Sequence, residues 1–164
     1  MDQLTELSRS LGEALKACRQ SVAVCESSAG GLISASLTAV PGASAFFLGG
    51  MVIYTLEARR EILNIADGDM KGIRGATEAY AMLCARTIQA RMGSVWAVAE
   101  TGASGPDGNP YGDPPGHACL AITGPVERVI TVETGQSDRE DNMWAFTSAA
   151  LTLLQDCLNQ NSSD

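Results

Sequence analysis

The chain has 164 residues, 45% hydrophobic and 18% charged, the composition of one folded domain with its own core and not of a disordered segment. Nineteen acidic residues against eleven basic ones give a net charge of −8 with no basic run, which argues against a nucleic-acid partner. Five cysteines lie far apart without a Cys-x-x-Cys pair, and His117 is the one histidine, so the thiols read as reduced core residues of a cytoplasmic protein without a metal site.

Asp2 is placed to cap a first helix with the apolar stripe Leu4, Leu7, Leu11 and Leu15. Val22–Cys25 is β-compatible and runs into Glu26-Ser27-Ser28-Ala29-Gly30-Gly31, after which a helical pattern extends from about Gly30 to Ala39. Strand, tight turn and helix in that order gather hydroxyls and backbone N–H groups at the positive end of a helix, which suits an anion or a developing oxyanion. The same residues also fit a plain N-cap by Ser27 or Ser28. Pro41-Gly42 ends this helix, and Met51–Tyr54 reads as a second strand introduced by Gly49-Gly50. These breaks also show that the uncharged span 27–56 is no membrane helix.

A short helix over Glu57–Asn64 and a loop over Asp67–Gly75 follow. Thr77 is expected to cap a helix striped by Tyr80, Cys84, Ile88 and Met92, and Val95–Ala99 reads as a third strand. Glu100–Gly116 is a long loop rich in proline and glycine, of a length that is usually functional or disordered. His117–Thr123 and Arg128–Glu133 form a hairpin around Gly124-Pro125. Ser137-x-x-Glu140 is a capping box opening the last helix, whose apolar face is Met143, Thr147, Ala150, Leu154 and Cys157, with a frayed tail from Asn159. Strands alternating with helices predict a single α/β domain over 1–164. Its mixed, mostly parallel sheet of about five strands is covered on both faces. Ligands in such sheets gather beyond the carboxyl ends of strands. Three groups fall there: Glu26-Ser27-Ser28, Tyr54-Thr55 and Glu100-Thr101-Gly102.

At these strand ends the sequence resembles the CinA carboxy-terminal domain family, whose enzymes are nicotinamide mononucleotide amidases. The family's A-E-S-C-T-G-G stands as Cys25-Glu26-Ser27-Ser28-Ala29-Gly30-Gly31, and its V-P-G-S-S-A-x-F-x-G-G spans Val40 to Gly50. Its Y-S-N-E-A-K is Tyr54-Thr55-Leu56-Glu57-Ala58-Arg59, its [ST]-G-I-A-G-P-x-G runs from Thr101 to Gly108, and its K-P-V-G-T is Asp113-Pro114-Pro115-Gly116-His117. Asp138-Arg139 preserves part of its G-D-R. The resemblance covers nearly the whole chain in order. It implies a three-layer α/β/α sandwich, a homodimer or higher homo-oligomer, and hydrolysis of the carboxamide of nicotinamide mononucleotide to nicotinate mononucleotide and ammonia. It implies Ser27 as nucleophile, Tyr54, Arg59 and Thr101 as further catalytic residues, and Ser28, Gly30, Gly31, Gly102 and Arg139 as substrate contacts. Arg139 suits a phosphate through paired hydrogen bonds. No cofactor and no metal are expected, and the partners are a nucleotide substrate and a second copy of the chain, with neither nucleic acid nor membrane.

The sequence departs from the family at Arg59, where the family has lysine. Lysine can lose its proton and act as a base, whereas arginine effectively does not. Three arrangements stay open: Tyr54 beside Arg59 takes the proton; Glu100, where the family carries an apolar residue, replaces the missing base; or turnover is lost and the protein binds a mononucleotide or a partner protein. A serine hydrolase of another small amide is a further reading. For Glu100 the favoured expectation is a structural ion pair with Arg59 or Arg60. His117 reads as a surface or hydrogen-bonded residue in preference to a base. Ser28-Ala29 for Cys-Thr, Leu56 for Asn and Asp113 for Lys alter the polarity of the pocket.

Overall fold

The computed structural model describes residues 2–163, with side chains from Leu4 onward, so the cap expected of Asp2 lies outside the described residues. The elements are α1 Asp2–Cys18, β1 Val22–Glu26, α2 Leu32–Thr38, β2 Phe47–Val52, α3 Leu56–Glu61, α4 Glu78–Met92, β3 Trp96–Ala103, β4 His117–Thr123, β5 Arg128–Glu133 and α5 Arg139–Asn161. Single 3-10 turns lie at Ala43–Ala45 and Asp67–Met70. Among the described residues no helix is long and apolar enough to cross a membrane.

The sheet order is β2-β1-β3-β4-β5, parallel across β2, β1 and β3 and antiparallel across β3, β4 and β5. Only β4 runs against the rest, as expected of a mixed, mostly parallel sheet. Alternation along the strands builds two cores. Val22, Val24, Trp96, Val98, Leu120 and Ile122 meet helices α1, α2 and α5, while Ala23, Cys25, Ala97, Ala99, Cys119 and Ala121 meet α4. The second set is small, which lets α4 approach the sheet closely. The result is a three-layer α/β/α sandwich.

Several boundaries differ from the expectations. Strand β2 ends at Val52 and begins four residues earlier than expected, with Gly49-Gly50 inside it. A Cβ on Gly50 would stand 2.0 Å from the Ser34 hydroxyl, so glycine there admits close packing of α2 on the sheet. Tyr54 consequently lies beyond the strand and is 58% exposed. Strand β3 continues through Glu100, Thr101 and Gly102, paired with Leu120, Cys119 and Ala118, so the long loop starts only at Ser104. Its polar residues hide the strand in the sequence, and pairing with the fully buried β4 carries it on. Helix α2 starts at Leu32. The cap of α5 is Asp138, whose Oδ1 accepts the Asp141 N–H at 2.9 Å, in place of Ser137. Helix α5 runs to Asn161 because Cys157 and Leu158 are buried, so the expected fraying from Asn159 does not occur.

Candidate functional site

Chain order reverses about β1: α2 leads from it to β2 on one side, and β3 returns on the other beneath α4. A crevice opens at the carboxyl ends of strands where such a reversal occurs. Two buried glutamates shape the backbone there. Glu26, the last residue of β1, accepts N–H groups from Gly31 at 2.9 Å, Ile33 at 3.1 Å and Ser34 at 3.0 Å, and the Ser34 hydroxyl at 2.7 Å. It therefore caps α2, whose N-cap position is Gly31 at φ 101 and not Ser27 or Ser28. A carboxylate in this place also complements the positive end of the helix.

Glu100, on β3, holds the turn from the other side. Its Oε2 accepts the N–H of Ser27 at 2.9 Å and of Ala29 at 2.8 Å, and its Oε1 accepts the Ser28 hydroxyl. Burial pushes its carboxyl above the usual range, against the opposing effect of these three donors. The Gly30 N–H is spent on the Ser27 carbonyl at 3.0 Å. The N–H groups of Ser27, Ala29, Gly30 and Gly31 are thus engaged within the protein, and among the described residues Ser28 is the member of the turn whose N–H has no protein partner. The expected ion pair of Glu100 with Arg59 or Arg60 is corrected. Both arginines bind Asp67 instead, Arg60 through Nε at 3.0 Å and Nη2 at 2.9 Å, while buried Arg59 keeps its Nε without a partner.

Arg59 is likewise not the cation beside the Tyr54 phenol. Arg139 Nη2 donates to that oxygen at 2.6 Å, and Arg139 Nη1 donates to the Gly105 carbonyl. Among the described residues Arg139 forms no ion pair, so its charge meets only neutral acceptors. Thr101 Oγ1 accepts the Ala76 N–H at 3.2 Å. His117 is buried and hydrogen-bonded, as one of its expected readings had it, and does not line the crevice.

The crevice has two lobes that share Ser27, Tyr54, Gly102 and Asn109. The polar lobe, about 360 Å³, adds Ser28, the stretch from Ala103 at the end of β3 to Gly108, and Arg139. The aromatic lobe, about 600 Å³, adds Arg59, Arg74, Tyr80, Thr101 and Tyr111. Ser27, Tyr54, Thr101, Ser28, Gly102, Arg139 and Arg59 are therefore brought together, whereas Gly30 and Gly31 shape the turn without lining either lobe. Sequence reasoning missed the Arg74 wall. The Arg74 guanidinium stacks 5.0 Å from the Tyr111 centroid and forks onto Asp113 at 2.7 and 3.1 Å. The acidic residue at the motif's lysine position was the signal for it. Among the described residues no cluster of His, Cys, Asp and Glu is suited to a metal ion.

Residues 4–158 match the family described as the CinA C-terminal domain. The CinA-like protein of Sulfurihydrogenibium sp. (strain YO3AOP1) is 32% identical over 157 residues, which is 96% of this chain and 39% of the relative. The CinA-like protein of Chlorobium limicola is 34% identical over 152 residues, 90% of this chain and 35% of the relative. The chain thus spans well under half the length of these curated relatives. Among solved structures, the competence/damage inducible protein CihA of Agrobacterium tumefaciens superposes with a TM-score of 0.85 at 29% identity, covering 95% of each chain. The competence damage-inducible protein A (ComA) of Klebsiella pneumoniae superposes with a TM-score of 0.89 at 26% identity, covering 95% of this chain and 97% of that one.

Proposed function

Because this chain belongs to the CinA C-terminal domain family, we propose that it hydrolyses the carboxamide of nicotinamide mononucleotide, with Ser27 as nucleophile. The observation that carries the reading is the place of Ser27. It stands where the two lobes meet, its main chain tied to Glu100 at 2.9 Å, with the uncompensated Arg139 guanidinium lining the same polar lobe. A phosphate displaces neutral acceptors from a guanidinium readily, because charge-assisted bonds are the stronger ones.

In the first step the Ser27 oxygen bonds to the amide carbon, and its proton leaves toward the nitrogen that departs as ammonia. Tyr54 is the group at the junction able to relay that proton. The oxyanion takes the Ser28 N–H and the Thr101 hydroxyl as donors. Water then cleaves the acyl-serine, releasing nicotinate mononucleotide and restoring the hydroxyl. The working assembly in this reading is a homodimer or higher homo-oligomer, which light scattering checks.

The decisive experiment is ammonia release from nicotinamide mononucleotide by the protein and by Ser27→Ala. Release that disappears in the variant upholds the amidase. A second reading, a protein that binds the mononucleotide without turning it over, is favoured by one observation: the position of the family lysine holds an arginine bound to Asp67. Calorimetric binding without ammonia release selects that reading.

A further inference from the structure

We infer that His117 is a positioning residue for Thr101, acting through the main chain of Ala76. The imidazole bridges two acceptors, with Nδ1 2.5 Å from Glu133 Oε1 and Nε2 2.9 Å from the Ala76 carbonyl oxygen. The other side of the same residue serves the site: the Ala76 N–H donates to Thr101 Oγ1 at 3.2 Å. Ala76 sits at φ 55, a left-handed conformation that is unfavourable for a non-glycine residue and persists where contacts over-determine it. Its carbonyl meets His117 and, more distantly, the Cys119 thiol at 3.6 Å, and its N–H meets Thr101. With its oxygen engaged as acceptor by Ala76, Thr101 has its own hydroxyl proton left to donate into the aromatic lobe. That is the oxyanion donor the proposed reaction needs, and the inference rests on that reading for its chemical purpose.

Neutral imidazole carries one N–H and satisfies one of the two acceptors, whereas the imidazolium donates to both. The charged groups around it agree. Glu133 faces it from β5, and Asp113 Oδ2 lies 3.8 Å from Nε2 on the preceding loop, itself bound to Arg74. The Cys119 thiol of its own strand lies 3.8 Å away, and Glu78, at the start of α4, bonds Thr131 beside that thiol. Burial works against the charge, but Glu133, the Ala76 carbonyl and Asp113 together hold the imidazole above its usual range. The bridge is therefore complete in the protonated state and loses one arm as pH rises.

His117 is the one histidine of the chain, so its ring resonances need no assignment by mutation. In an NMR titration its midpoint is expected above about 6.5, with the Thr101 amide and methyl signals moving at the same midpoint. Glu133→Gln, a change at a half-exposed residue, is expected to lower both by about one pH unit. In turnover of nicotinamide mononucleotide, His117→Gln should lower kcat on the order of tenfold with KM unchanged. The decline of wild-type kcat above the midpoint should be missing from the variant. Thr101 signals indifferent to the titration, or a variant altered in KM alone, overturn the inference. A wild-type protein that releases no ammonia refutes the amidase reading, and the Thr101 signals then decide the positioning role by themselves.

Discussion

Glu100 Oε2 accepts the backbone N–H of Ser27 at 2.9 Å, so the proposed nucleophile is held by its main chain to a carboxylate buried on the neighbouring strand. The same carboxylate takes the Ser28 hydroxyl and the Ala29 N–H. One side chain from β3 thus orders the turn that β1 delivers, and the two strand ends act as a unit.

Replacing that carboxylate by an amide tests the unit. Glu100→Gln keeps the shape but faces an NH2 group toward one of three donors, and is expected to cost about 1–3 kcal/mol. The cost depends on pH. Since burial raises the Glu100 carboxyl above the unfolded value of about 4.3, the folded chain holds this proton more tightly than the unfolded one. The group's contribution is full below that value and declines as pH rises through the folded one. Urea denaturation should therefore show the wild type losing ground to Glu100→Gln between pH 4 and pH 7.5. A difference that grows in favour of the wild type would mean that the three donors outweigh burial.

Arg139 and Tyr54 should separate binding from turnover. Arg139→Ala removes the cation of the polar lobe, and KM for nicotinamide mononucleotide is expected to rise roughly ten- to a hundredfold. The rise should be small for the same ring and ribose without phosphate, since only the phosphate meets the guanidinium. Tyr54→Phe keeps the ring and deletes the acceptor of the 2.6 Å contact, and is expected to abolish ammonia release while calorimetric binding persists. Retained turnover removes the phenol from the proton path.

Much of this site was legible before any coordinates because its residues follow strand ends, and a strand that runs into a glycine turn is a local pattern. Ser27 follows β1 in this way, whereas Thr101 lies within β3 and lines the crevice from the strand itself. What stayed hidden is non-local. Tyr54 and Arg139 are 85 residues apart, and nothing in either segment says that the phenol meets this guanidinium in preference to Arg59. The partner of Glu100 is hidden for the same reason: opposite charge points to Arg59 or Arg60, yet the fold brings the backbone N–H groups of the turn onto the carboxylate. Strand β3 runs four residues beyond its sequence pattern because Glu100, Thr101 and Gly102 are poor strand residues in isolation, and pairing with β4 overrides that preference.

Arg59 poses a narrower question, whether the missing lysine alone limits turnover. Arg59→Lys by itself should leave the rate unchanged, because Asp67 would keep a new ammonium charged in place. Arg59→Lys combined with Asp67→Asn frees the amine to lose its proton, and kcat is expected to rise on the order of tenfold or more. Asp67→Asn alone should give no gain, since arginine stays protonated. An inactive double variant that still binds nucleotide shows that the base of this site lies elsewhere.

Gly102 tests the tight pairing of the β3 extension with β4. A Cβ there would stand 2.3 Å from the His117 carbonyl oxygen and 2.7 Å from the Ala118 Cα, both main-chain atoms of β4 that cannot rotate aside. Gly102→Ala must therefore spread β3 from β4 directly beneath the crevice, at a cost of about 2–3 kcal/mol and a fall in Tm of roughly 5–10 °C. Gly68→Ala is the control, with no atom within 4 Å of the added methyl group and an expected change within about 0.5 kcal/mol. Calorimetric melting of both variants distinguishes the cases. Equal melting temperatures would place Gly102 outside the ladder, and Glu100 and Thr101 would then lose the rigid strand that aims them at Ser27.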